Sequence, residues 1–146
     1  MRPGLSARSD STFHRSLRIG ETAYVCVHAN KLWNDSGIEV VSGQRYNFRI
    51  PQGERWIGWR RTCNADGHSS TGLIRPFESL RRVPEARWLE LMGTIGCSTK
   101  SAIRIGQGLS NLLVLFSGRL YLFANDLTWM YWKNKGTLAV RITRTK

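Results

Sequence analysis

Acidic residues are scarce in this chain: ten Asp and Glu stand against 22 Lys and Arg, 17 of them arginine, for a formal charge of +12. Cysteine is scarcer still, with Cys26, Cys63 and Cys97 widely spaced and no CxxC pair. That set excludes a disulfide framework and a cysteine zinc site. Cys26 falls in an alternating segment and is expected to be buried; a single Cys63–Cys97 bridge stays open. Long apolar runs are missing. The longest, residues 112–116, is strand-sized, far short of the roughly 20 residues a membrane helix needs. The three histidines are scattered, and there is no nucleophile elbow, HExxH, P-loop or dinucleotide glycine fingerprint. Nothing therefore meets the requirements of a catalytic constellation, and the chain is read as a binding protein without catalysis.

What is present reads as β structure. Residues 23–29 alternate, with Ala23, Val25, Val27 and Ala29 on one face and Tyr24, Cys26 and His28 on the other. Asn34-Asp35-Ser36-Gly37 has turn chemistry, and residues 38–41 follow as a short strand. Tyr46, Phe48 and Ile50 alternate with Arg45, Asn47 and Arg49 until Pro51 and Gly53 intervene. Strands are expected again at 88–95, 102–105, 119–124 and 137–143. Regular strand–turn spacing of this kind, with about eight strands in all, predicts an antiparallel β-sandwich. Residues 54–84 are irregular but hold Trp56 and Trp59, which argues for an ordered, functional loop; residues 77–82 are the best place for a short helix.

Residues 1–20 carry four arginines among serines and glycine, with no periodic apolar face and no apolar stretch of a secretory signal. They read as a flexible basic tail or linker remnant, with a transit peptide as the alternative. Residues 21–146 form the folded domain, and the compartment stays open.

The most informative segment is residues 125–136, where Asn125, Asp126 and Asn134 share a loop with Trp129, Tyr131 and Trp132. Side-chain oxygens in such a loop suit a hard cation such as calcium, and the aromatics suit the face of a sugar. The bland alternative is a hairpin loop whose aromatics pack on the end of the sandwich.

Taken in order, Ser-Gly-Gln-Arg-Tyr-Asn-Phe at 42–48, Asp66-Gly67, Leu-Met-Gly-Thr-Ile-Gly at 91–96, Ile-Arg-Ile-Gly at 103–106, Gly-Arg-Leu-Tyr-Leu at 118–122 and Asn125-Asp126 with Tyr131, Asn134 and Gly136 resemble the calcium-dependent galactophilic lectins of bacteria. More broadly they are similar to galactose-binding-like β-sandwiches. The resemblance implies a jelly-roll sandwich and a lectin-like module that recognises galactose-type or anionic glycans, with calcium bridging protein and sugar. It places Asp126 and Asn134 as metal ligands and sugar anchors, with Asp66, His68, Trp129 and Tyr131 as further sugar-binding neighbours. The sequence departs from the family pattern at Met130 and Lys133. A lysine amine is donor-only and cannot ligate a cation. The expectation is therefore that Asp126 persists as a hydrogen-bond acceptor, with Lys133 as its candidate partner, and that sugar binding is independent of calcium or absent.

A second reading comes from charge. Lys133, Lys135, Arg141, Arg144 and Lys146 crowd the C-terminal strand around Tyr131 and Trp132, a pattern that suits nucleic acid or another polyanion. A protein-interaction domain without small ligand is the third. Oligomerisation stays open.

Overall fold

The computed structural model describes residues 15–146. Ten strands form in chain order: β1 (Thr22–His28), β2 (Asn34–Val40), β3 (Arg45–Arg49), β4 (Trp56–Gly58), β5 (Arg61–Cys63), β6 (Leu91–Ile95), β7 (Ile103–Arg104), β8 (Gly108–Leu113), β9 (Gly118–Ala124) and β10 (Thr137–Arg144). They make two antiparallel four-stranded sheets, β1-β10-β3-β8 and β2-β9-β6-β7, and a separate β4–β5 hairpin. This is the expected all-β sandwich.

Period-2 alternation fixes which face of each strand turns inward. Val25 and Val27 of β1, Tyr46 and Phe48 of β3, and Leu138, Val140 and Ile142 of β10 are buried against Ile38, Val40, Leu91, Leu120 and Leu122 of the opposite sheet. The same alternation turns Cys26 outward beside Tyr24, so the expected burial of Cys26 is corrected: it is exposed. Cys63 and Cys97 are both free, which closes the bridge left open above. Burial raises the Cys63 thiol pKa to about 11.

Three further expectations change. Asn34-Asp35-Ser36-Gly37 belongs to β2, where an irregularity lies between Asp35 and Glu39 and Gly37 takes φ +72°. A bulge uses the same residues as a turn, which is why the two look alike in sequence. The irregular stretch 54–84 contains the β4–β5 hairpin and a 3-10 helix, Gly72–Leu80, earlier than the helix expected at 77–82.

The domain also starts before residue 21. Residues 1–14 of the expected tail lie outside the described residues, but 15–20 are packed. Leu17 is 1% exposed in the core, Arg15 bridges Ile38 of β2, and the Gly20 N–H donates to the Arg144 carbonyl at 2.7 Å. This short strap thus joins both sheets.

A second, smaller cluster covers the outer face of β6 and β9, where Val83 and Ala86 pack on Met92 and Phe123 with Trp33 alongside. It is one of the ties that hold residues 64–90 against the sandwich.

Candidate functional site

Three segments leave the strands at one end of the sandwich: the β4–β5 hairpin, residues 64–90, and the loop 125–136 between β9 and β10. Asn125 clamps the second to the third. Its Oδ1 accepts from the Val83 N–H at 2.9 Å, and its Nδ2 donates to the carbonyls of Val83 and Arg87 at 2.9 and 3.0 Å. Arg82 adds a second tie. Its guanidinium lies 3.9 Å over the Phe123 ring and 4.4 Å over Trp33, and donates to the Leu32 carbonyl and the Tyr131 hydroxyl. The hairpin joins through Ile57, whose N–H and carbonyl pair with Lys135 at 2.8 Å each.

Asp126 follows Asn125 and is 7% exposed. Its Oδ1 accepts from the Leu127 N–H at 2.7 Å and its Oδ2 from Asn134 Nδ2 at 2.9 Å. Burial raises its pKa, partly offset by these two hydrogen bonds. Asn134 also donates to the Ala29 carbonyl at 3.1 Å, while its buried Oδ1 has no partner among the described residues. The expected Asp126–Lys133 contact is not formed. Lys133 Nζ sits 5.0 Å over the Trp132 ring instead, where the aromatic face attracts the cation.

Asp126 opens onto a cavity of about 460 Å³, lined mainly by apolar side chains. His68 and Trp88 form one wall because their backbones pair, at 2.8 and 3.1 Å. That pairing needs Gly67: a Cβ there would meet the Trp88 carbonyl oxygen at 2.1 Å. Burial lowers the His68 pKa, and its Nδ1 donates to the Ser69 carbonyl at 3.1 Å, leaving Nε2 of the neutral ring as an acceptor. Trp59 stands at the hairpin tip. It and Arg60 hold φ values of +43° and +71°, and Leu89 at the cavity floor holds +54°. Side-chained residues take such conformations at a cost of about 1–3 kcal/mol each, a kind of strain that concentrates at ligand sites. Trp129, Met130, Ile74 and Phe77 complete the rim, with Arg61 the cation in the lining.

Of the six residues singled out in the sequence, Asp126, His68 and Trp129 line this cavity together. Asn134 stands behind it, holding Asp126. Asp66 is elsewhere, its Oδ1 accepting from the Gln107 N–H at 2.8 Å, a tie between residues 41 apart in the chain. Tyr131 is also elsewhere: it is buried, its hydroxyl donates to the Ala124 carbonyl, and burial raises its pKa. Trp59, Arg61, Phe77 and Trp88 were not singled out. Their only signal was the density of aromatics and arginines in a long irregular stretch.

Calcium takes six to eight oxygens. Here the loop offers one carboxylate, already engaged by two N–H donors, and the unpartnered Oδ1 of Asn134. Among the described residues no three His, Cys, Asp or Glu side chains cluster, and the Met130 carbonyl accepts from the Lys133 N–H. This donor set does not fit the ion that the family resemblance implies.

No family model and no curated protein sequence matches the chain. Among solved structures, the N-terminal domain of EclA, described as a PllA-like lectin, matches with a TM-score of 0.61 at 17% identity, over 83% of this chain and 94% of that one. The chain shares the fold of that lectin domain. The match supports the lectin-like sandwich read from the sequence.

Proposed function

We propose that the domain is a carbohydrate-binding module that holds a sugar in the cavity beside Asp126, without catalysis and without a bridging calcium ion. The observation that carries this reading is a nearly buried carboxylate opening onto a cavity walled by indoles, on a lectin-like scaffold. Carboxylate oxygens and a neutral imidazole accept from sugar hydroxyls, while Trp88, Trp129 and Trp59 offer flat apolar faces to ring C–H groups. Polar anchors within an apolar lining are the usual composition of such pockets. Among glycans, the class favoured is a galactose-type sugar at Asp126; Arg61, with Arg81 and Arg87 close enough to His68 to depress its pKa, suits an anionic substituent beside it.

Glycan-array binding with and without chelator tests this. Signals that survive chelation and vanish in Asp126→Ala support it; signals abolished by chelation show that a metal bridges after all. Uniform binding to polyanions, weakening steeply with salt and indifferent to Asp126→Ala, favours the polyanion reading instead.

A further inference from the structure

The cavity-bearing end also carries most of the large apolar side chains that the fold leaves uncovered. Trp59, Leu73, Phe77 and Trp129 rim the cavity, and Trp129 also lines an adjoining cleft with Leu32 and Trp132. The patch is therefore continuous from the hairpin tip across to the 125–136 loop. Its outermost members protrude: Leu73 is 84% and Trp132 75% exposed. The 3-10 helix Gly72–Leu80 buries none of its residues, although Leu73, Ile74, Phe77 and Leu80 are spaced as one apolar face. A patch of this extent on a small domain marks a surface that something covers.

Charge identifies the occupant. Lys31, Arg60, Arg61, Arg75 and Lys133 are exposed around or within the same segments. None of them makes a salt bridge with a carboxylate among the described residues, whose four ion-pair contacts all involve Arg15, Arg104 or Arg119. Glu78 is the acidic residue of the 3-10 helix. A second copy of the chain seated here would bring the same arginines face to face, at a net charge of +12 on each. An anionic surface would neutralise them. Protruding Leu, Phe and Trp side chains among Arg and Lys are the composition of elements that lie in a membrane interface, the apolar side chains in the acyl boundary and the cations at the phosphates.

We propose that this end of the sandwich docks peripherally on an anionic lipid surface, inserting Leu73 and Trp132, with Trp129 between them at headgroup level. Among the described residues no helix is long and apolar enough to cross a membrane. The proposal stands apart from the glycan reading, because it needs no sugar.

Its test is co-sedimentation with sugar-free vesicles, either phosphatidylcholine alone or phosphatidylcholine mixed with phosphatidylglycerol, with tryptophan emission recorded alongside. The mixed vesicles are expected to bind the protein and shift its emission to the blue, with little binding to phosphatidylcholine alone. Leu73→Glu and Trp132→Ser should each weaken binding roughly tenfold, from lost apolar insertion. Their unfolding midpoints should match the parent, since both side chains are exposed. Absence of vesicle binding overturns the proposal. So does binding that both variants retain, which would mean that the arginines act elsewhere on the surface. Concentration-dependent dimerisation in sedimentation, lost in the variants, overturns it too by assigning the patch to a second copy.

Discussion

Between the two sheets, Tyr46, Phe48, Leu122 and Val140 are at most 1% exposed, while at the cavity-bearing end Leu73, Trp129 and Trp132 are more than half exposed. Both regions are rich in apolar side chains, so composition does not separate them. What separates them is whether the backbone closes. In the sheets each inward residue faces another across a paired ladder. At the end, the chain is held by a few side-chain clamps, Asn125 and Arg82 foremost, and its apolar residues face outward or into the cavity. Stability is thus concentrated in one region and available surface in the other.

The largest expected effect tests where that border lies. Trp56 belongs to the β4–β5 hairpin but is fully buried, its Nε1 donating to the Leu89 carbonyl at 3.1 Å. Trp56→Ala should cost about 3–5 kcal/mol, as for a core aromatic, measured by urea unfolding. A loss near 1 kcal/mol would show that the hairpin is an appendage that the core does not need.

Next comes Glu90, nearly buried and held by Arg104 through two hydrogen bonds of 2.7 and 2.8 Å. Arg104→Ala leaves that carboxylate without its cation. Because Arg104 is itself half exposed, a cost of about 2 kcal/mol is expected, below the range for fully buried pairs. Unfolding curves of Arg104→Ala and of Glu90→Gln/Arg104→Ala should show the double variant recovering part of the loss.

Asp126 gives a smaller, pH-dependent effect. Its pKa is raised in the fold above the ordinary 3.8 by burial, so the folded state holds the proton more tightly than the unfolded one. Its contribution favours the fold below 3.8 and is lost as pH rises through the raised value. The stability of Asp126→Asn relative to the parent should therefore increase with pH across that window, in thermal unfolding followed at several pH values. A flat difference would mean that the carboxylate is better solvated than its burial indicates.

The smallest effects are expected at exposed positions. Trp129→Ala should change stability by less than about 0.5 kcal/mol while weakening glycan binding in titration calorimetry. Thiol labelling of the native protein should modify Cys26 and Cys97 and spare Cys63 until the chain unfolds, because only the thiolate reacts and that of Cys63 is suppressed by burial.

The sandwich was legible because period-2 alternation is a local signal: Val25 and Val27, or Tyr46 and Phe48, announce their inward face within five residues. Asn34-Asp35-Ser36-Gly37 misled because bulges and turns draw on the same residues. The site was legible only in part. Asp126, His68 and Trp129 were found through the loop's chemistry and the family resemblance. Asp66 has the same chemistry, yet the distant Gln107 N–H occupies its oxygen. Trp88 and Phe77 reach the cavity through long-range clamps at Asn125 and Arg82, and nothing in the residues flanking Trp88 or Phe77 encodes such contacts.

The strap at residues 15–20 and the last strand give the domain a polarity. β10 runs from Thr137, paired with His28 beside the cavity, to Arg144, whose guanidinium donates to the Leu17 carbonyl at 2.9 Å. Its eight residues span roughly 23 Å. Lys146 accepts from Arg45 at that far pole, next to the strap. What is tethered beyond Lys146 therefore departs from the pole opposite the cavity. A tag, a surface linkage or a fused neighbour attached there leaves the binding face pointing away from its anchor.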